Sequence, residues 1–157
     1  MCIRDRHLSL FKPLNLRLEV DSTPLKKLSG KEKEYIAKCR LHQNELRIRL
    51  MEKRNRKCML CGVDIPEILI ASHIKSWRDS NEDERVDLEN LLLLCAGHDA
   101  LFDKGLISFD DDGVILISEK ISEQCRKNLN ITPDMSISKI SAEMQKYMEY
   151  HRQHRQR

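Results

Sequence analysis

Aromatic side chains are scarce in this chain: one Trp, three Tyr and three Phe make up 4% of 157 residues. With so few rings and 40% hydrophobic against 34% charged residues, the composition fits one domain with a modest aliphatic core and long polar helices. No apolar run approaches the length of a membrane span and no signal peptide is visible, so no membrane association is expected. Internal repeats and low-complexity tracts are also lacking. Six cysteines are too few and too scattered for a secreted disulfide scaffold, which points to a reducing cytoplasm. A small core of this kind can draw part of its folding energy from a bound metal.

The net charge of +3 hides a strong asymmetry. From Lys31 to Lys57 there are ten Lys and Arg against four Glu, whereas from Asp79 to Asp112 two basic residues face eleven acidic ones. Lys146 to Arg157 is basic again and adds His151 and His154. Basic arms around an acidic centre suit a nucleic-acid enzyme whose carboxylates hold cations, although each run can also be read as a solvated helix face.

Four stretches follow from pattern. Residues 1–30 read as an N-terminal extension in which Leu14, Leu16, Leu18 and Val20 alternate as in a half-buried strand. Residues 31–57 read as a basic helix with Ile36, Cys39, Gln43, Leu46 and Leu50 on one face and Arg40, Arg47, Arg54 and Lys57 on another. Within 58–118, Ile68 to Ala71 predicts a buried strand ending at His73, Asp79 to Glu89 a polar loop, Leu91 to Leu94 a second strand and Ala96 to Asp103 a short helix. Ile107–Phe109 and Val114–Ile117 flank an Asp-Gly turn and predict a hairpin. Residues 119–157 read as helical: Ser118 caps a helix carrying Ile121, Cys125 and Leu129, and a final helix aligns Ile137, Ile140, Met144, Tyr147 and His151.

Two metal half-sites stand at the centre. Cys58-x2-Cys61, closed by Gly62, and Cys95-x2-His98 each present two soft or imidazole ligands, and together they complete a tetrahedral structural zinc site. His73, Asn90, Asp99 and Asp103 are left over. A structural zinc with a spare His, Asn and two carboxylates is the inventory of a small metal-dependent nuclease.

At these residues the chain resembles the HNH endonucleases, in particular the restriction-type subgroup. The matching pieces are Cys58 to Gly62, Pro66 to Trp77 (PEILIASHIKSW), Asn90 to Leu94 and His98 to Ser108 (HDALFDKGLIS). Upstream, Gln43, Arg47 and Leu50 fall where that subgroup carries a Q-x-x-x-R-x-x-L helix. The resemblance implies an α+β fold: a ββα-metal (His-Me finger) core with a structural zinc, flanked by helices and a β-hairpin.

It also implies roles. His73 corresponds to the first His of the family and would take a proton from the attacking water. Asn90 corresponds to the Asn and would bond backbone groups in the loop bearing His73. The third His position falls on Asp99, with His98 as fourth zinc ligand; in the rival register His98 is itself that third His and zinc is a ligand short. Ser72 stands where many members carry a metal-binding Asp. Asp99 and Asp103, four apart on a helix, would hold Mg²⁺ or Mn²⁺, Asp103 alternatively capping the turn at Lys104-Gly105. Arg47, Arg54, Lys57, Lys75 and Arg78 are the phosphate candidates, while Trp77 reads as packing. The implied function is DNA phosphodiester hydrolysis in restriction or phage defence, with double-strand cleavage favouring a homodimer; the alternative is a zinc-dependent DNA-binding module without cleavage.

Overall fold

Leu91, Leu92, Leu93 and Leu94 are all fully buried. Four consecutive residues hidden on both faces require a strand covered on both sides, and each side chain contributes roughly 1.5–3 kcal/mol by leaving water. The structure, a computed structural model, describes residues 43–138 and 140–155. The predicted strand at 14–20 and the upstream part of the basic helix, with Ile36, Cys39 and Arg40, lie outside the described residues.

Strand β2 is Leu91–Cys95 and pairs antiparallel with β1, Leu69–His73, in a register that sets Leu69 opposite Cys95 and His73 opposite Leu91. That register brings the second zinc half-site to the start of β1 and leaves His73 at its far end. Helix α1 spans residues 43–53 and buries Leu46, Leu50 and Met51. It stops where Asn55 and Arg56 both take positive φ and the Arg56 N–H returns to Met51 O at 2.8 Å.

Helix α2, Glu82–Val86, occupies what the sequence predicted to be a polar loop. A capping box forms it: Glu84 N–H donates to Asn81 Oδ1 and Asn81 N–H to the Glu84 carboxylate, both at 2.9 Å. Helix α3 is Ala96–Asp103, with the predicted boundaries, and it packs across both β1 and β2. Two strands followed by a crossing helix give the α+β core expected from the sequence.

Strands β3, Ile107–Phe109, and β4, Ile115–Ile117, form the predicted hairpin, shortened by one residue because Val114 bridges to Ser136 instead. Helix α4, Glu123–Asn128, is capped by Ser122 rather than Ser118, and Cys125 and Leu129 are exposed. Helix α5, Ala142–Arg155, begins later than predicted. Ile137 and Ile140 are buried but precede it, because the Ile137 N–H is held by Gly113 O at 2.9 Å.

Helix α5 closes the fold onto the core. His151 is fully buried; its Nδ1 lies 3.0 Å from Ser108 Oγ, its Nε2 3.1 Å from Phe102 O, and its ring stacks on Phe102 at 3.9 Å. Tyr147 donates to Asp87 at 2.9 Å; burial, then this partner, pushes its phenol up to about 12. Ser141 Oγ donates to Glu89, which also binds Lys53 of α1, so α1 and α5 meet at the turn just before Asn90. Among the described residues no helix is long and apolar enough to cross a membrane.

Candidate active site

The knuckle at residues 58–62 is shaped by the backbone before any metal is considered. Cys58 N–H donates to Val63 O at 2.8 Å, Gly62 N–H returns to Cys58 O at 2.9 Å, and Gly62 takes φ +74. A further bond, Met59 N–H to Leu93 O at 2.8 Å, pins the knuckle against β2. Cys58, Cys61, Cys95 and His98 thereby converge, their ligand atoms all within 4.8 Å of one another.

The spacings fit a tetrahedral ion. Zn–S of about 2.3 Å and Zn–N of about 2.0 Å separate ligand atoms by roughly 3.5–3.8 Å. Observed are 3.6 Å from Cys58 Sγ to His98 Nδ1, 3.3 Å from Cys95 Sγ to the same nitrogen and 3.9 Å between Cys61 and Cys95. Burial works to raise the Cys58 thiol, but hydrogen bonds from His98 and nearby backbone groups outweigh it and bring it down to about 6. Burial, helped by the neighbouring sulfurs, pushes Cys61 up to about 12. One ready thiolate beside a crowded thiol is a set that a cation would complete, because the metal replaces the protons. This Cys3His group could hold zinc.

His73 ends β1 half-buried, and its Nε2–H donates to the main-chain carbonyl of Arg85 at 3.0 Å. Burial lowers its pKa and the Arg85 bond only partly restores it, so the imidazole is neutral at pH 7. Trp77 meets the ring edge-on at 5.4 Å. Asn90, fully buried, accepts from Lys75 N–H at 2.8 Å and donates to Glu84 O at 2.9 Å and Ser80 Oγ at 3.3 Å. A cleft of about 570 Å³ opens beside His73, lined also by Gln43, Arg47, Glu67 and Ala71.

Compared with known families, residues 58–110 match the HNH endonucleases. This segment is similar to the HNH endonucleases. No curated protein matches the chain. The match takes in the four zinc-type ligands, His73, Asn90, Asp99 and Asp103, and ends before β4; Gln43 and Arg47 of α1 lie outside it.

Within the HNH segment, Asp99 is half-buried and Asp103 exposed beside Lys104, on successive turns of α3. Among the described residues, the Cys3His set is the one group of three or more ligand-capable side chains, and neither Asp belongs to it. Ser72 is buried within β1.

The basic candidates divide. Arg47 Nε–H donates to Leu69 O at 2.9 Å and its Nη2 to Pro66 O, which fixes it at the wall of the cleft. Arg54 is half-buried with no acceptor for its Nε among the described residues, and Lys57 and Arg78 are exposed. Lys75 is gripped by both Glu84 carboxylate oxygens at 2.7 and 2.8 Å and lies over Tyr150, so its charge is met internally. Similarly, His151 and Arg152 of the basic C-terminal helix turn inward, Arg152 to Phe109 O and Asp111.

Sequence reasoning passed over Glu84 and Arg85, which take their meaning only from what α2 touches. The available signal was the Asn81-x-x-Glu84 capping box, which announces a helix inside the acidic stretch.

Proposed function

We propose that this chain is a metal-dependent endonuclease that hydrolyses DNA phosphodiester bonds, as part of cytoplasmic restriction or phage defence. The observation that carries this reading is His73: neutral, oriented by a carbonyl, and sharing a cleft with the anchored cation of Arg47. A neutral imidazole there can take the proton of an attacking water. Asn90 holds the loop and helix around His73, and the zinc set ties the knuckle to the strands. The carboxylates of Asp99 and Asp103 are hard oxygen donors suited to Mg²⁺ or Mn²⁺. A cation held by them would supply positive charge to offset the negative charge of the phosphate and the leaving 3′ oxygen.

Arg47, with two donors on backbone and the rest of its guanidinium at the cleft, meets substrate phosphate. Arg54, Lys57 and Arg78 extend that contact along the backbone, while Lys75 joins only by leaving Glu84. One such site cuts one strand, so double-strand breaks favour a homodimer.

A second reading, a zinc-stapled DNA-binding module without cleavage, is favoured by Ser72 at the position of a family Asp and by the isolation of Asp99 and Asp103 from any larger ligand group among the described residues. Plasmid nicking with Mg²⁺ or Mn²⁺ decides. His73→Ala should lower the rate by about a hundred- to ten-thousandfold while DNA affinity holds. Asp99→Ala and Asp103→Ala should recover part of their loss at raised Mn²⁺. Parent protein that binds DNA and zinc yet nicks with neither metal supports the module instead.

A further inference from the structure

The turn that delivers Asn90 is too short to hold itself. Leu88–Asn90 is a single 3₁₀ turn whose own bonds are Asn90 N–H to Asp87 O at 3.0 Å and Leu91 N–H to Leu88 O. Asp87, which precedes it, and Glu89 within it carry carboxylates in a stretch already dense with acidic side chains, so repulsion works to open it. Both are met by donors from elsewhere. Asp87 accepts Glu89 N–H at 2.9 Å through one oxygen and the Tyr147 hydroxyl at 2.9 Å through the other. Glu89 is bonded by Lys53 of α1 and by Ser141, whose Oγ also accepts Met144 N–H at 3.1 Å and so caps α5. Burial works to raise the Glu89 carboxyl, but these donors outweigh it and hold it below its ordinary value. A cavity of about 270 Å³ borders the Tyr147–Asp87 contact, lined also by Lys75, Glu84 and Tyr150, so packing alone does not fix the distance between α5 and the turn. Lys53, Ser141 and Tyr147 all lie outside the segment that resembles the HNH endonucleases.

Resting on the nuclease reading above, we infer that α5 is part of the catalytic unit: Tyr147 is a positioning residue that fixes Asn90 through Asp87, and Ser141 secures the same turn through Glu89. Asn90 is fully buried and joins Lys75 N–H, two residues beyond His73, to Glu84 O of α2, so a shift of the turn moves the backbone of the cleft. A second tie runs from α5 to that segment, since Lys75 Nζ lies 5.4 Å over the Tyr150 ring. Tyr147 touches no reacting atom. Burial and then Asp87 push its phenol up to about 12, so the hydroxyl stays protonated and remains a donor throughout the neutral range. At the other end of α5, Arg152 ties the helix to the hairpin instead, through Phe109 O and Asp111.

The test measures plasmid nicking by the full chain, per folded and zinc-loaded molecule, over a range of DNA concentration. Tyr147→Phe keeps the ring and removes only the hydroxyl. It should retain zinc and lower kcat by about ten- to a hundredfold with KM unchanged, since a misplacement of about 1 Å can cost about a hundredfold. Asp87→Asn leaves a single oxygen to serve both Glu89 N–H and the phenol. Because the two changes act through one bond, adding Asp87→Asn to Tyr147→Phe should cost little more than Tyr147→Phe alone. Arg152→Ala loosens α5 from the hairpin and should lower the melting temperature while kcat holds. A Tyr147→Phe protein with parental kcat, a loss that Arg152→Ala reproduces, or a double variant whose loss is the product of the two single losses overturns the inference while the nuclease reading stands. A parent that does not nick overturns that reading, and the inference with it.

Discussion

His73 and Asn90 cap the same helix end, taking the consecutive carbonyls of Arg85 and Glu84 at 3.0 and 2.9 Å. Seventeen positions apart in sequence, they are joined by one short turn of backbone rather than by a bond to each other. Ile74 N–H to Asn90 O at 2.9 Å adds a second tie between the two segments. Displacing either side chain frees one carbonyl of the turn whose neighbouring carbonyl the other still holds.

That coupling predicts the effect of Asn90→Ala. Its side chain meets Lys75 N–H, Glu84 O and Ser80 Oγ, and each buried group left unpaired costs about 1–3 kcal/mol. The variant should unfold at lower denaturant, keep its zinc, and lose more nicking activity than the fall in folded fraction explains. Activity that simply tracks the folded fraction would assign Asn90 to stability alone.

Zinc removal should be structural in effect. Purified protein should carry one zinc per chain by elemental analysis, and a strong chelator should unfold the unit formed by β1, β2 and α3. His98→Ala should lose metal and stability together. If it keeps its zinc and loses only nicking, His98 is the third HNH histidine and the ligand set proposed here is wrong.

The pH profile follows from burial at His73. Burial lowers the imidazole pKa below the ordinary 6.5, against the opposing pull of the Arg85 carbonyl. The neutral form is the proton acceptor, so the nicking rate should stay level as pH falls to the ordinary histidine range and decline only below it. Stability moves in the same sense: the unfolded chain takes up this proton first, so the contribution is present above the unfolded pKa and lost as pH falls towards the folded one. An acid limb at or above 6.5, in protein shown to retain zinc, would contradict the assignment.

Two glycines should respond differently to alanine. Both need positive φ, but a Cβ on Gly62 meets nothing within 4 Å, whereas one on Gly113 would lie 2.9 Å from Ile137 O. Gly62→Ala should cost about 1–2 kcal/mol from the backbone alone. Gly113→Ala should lower the melting temperature further, since the carbonyl it strikes belongs to the segment paired with the turn. Equal shifts would show that this segment moves aside.

Much of the core was legible in the sequence because its signals are local. The Cys and His spacings, the apolar run Leu91 to Leu94 and the boundaries of α3 all depend on neighbours a few residues apart. Helix α2 was equally local, yet the density of acidic residues from Asp79 to Glu89 masked its capping box. The C-terminal third misled for another reason. Ile137 and Ile140 continue the three-four spacing of α5 but lie before its first residue, with the Ile137 N–H bonded to the turn at Gly113.

The sequence by itself determined the two half-sites, the ββα order of elements and the resemblance to the HNH endonucleases, since spacing and periodicity are properties of short stretches. Only the tertiary structure decided where the remaining polar groups point. Lys75 pairs with Glu84 instead of facing solvent, His151 enters the core between Phe102 and Ser108, Arg47 is pinned to β1, and His73 donates to Arg85. Each is a hydrogen bond between segments that meet only after the chain folds, and a buried donor or acceptor takes the partner that packing brings to it.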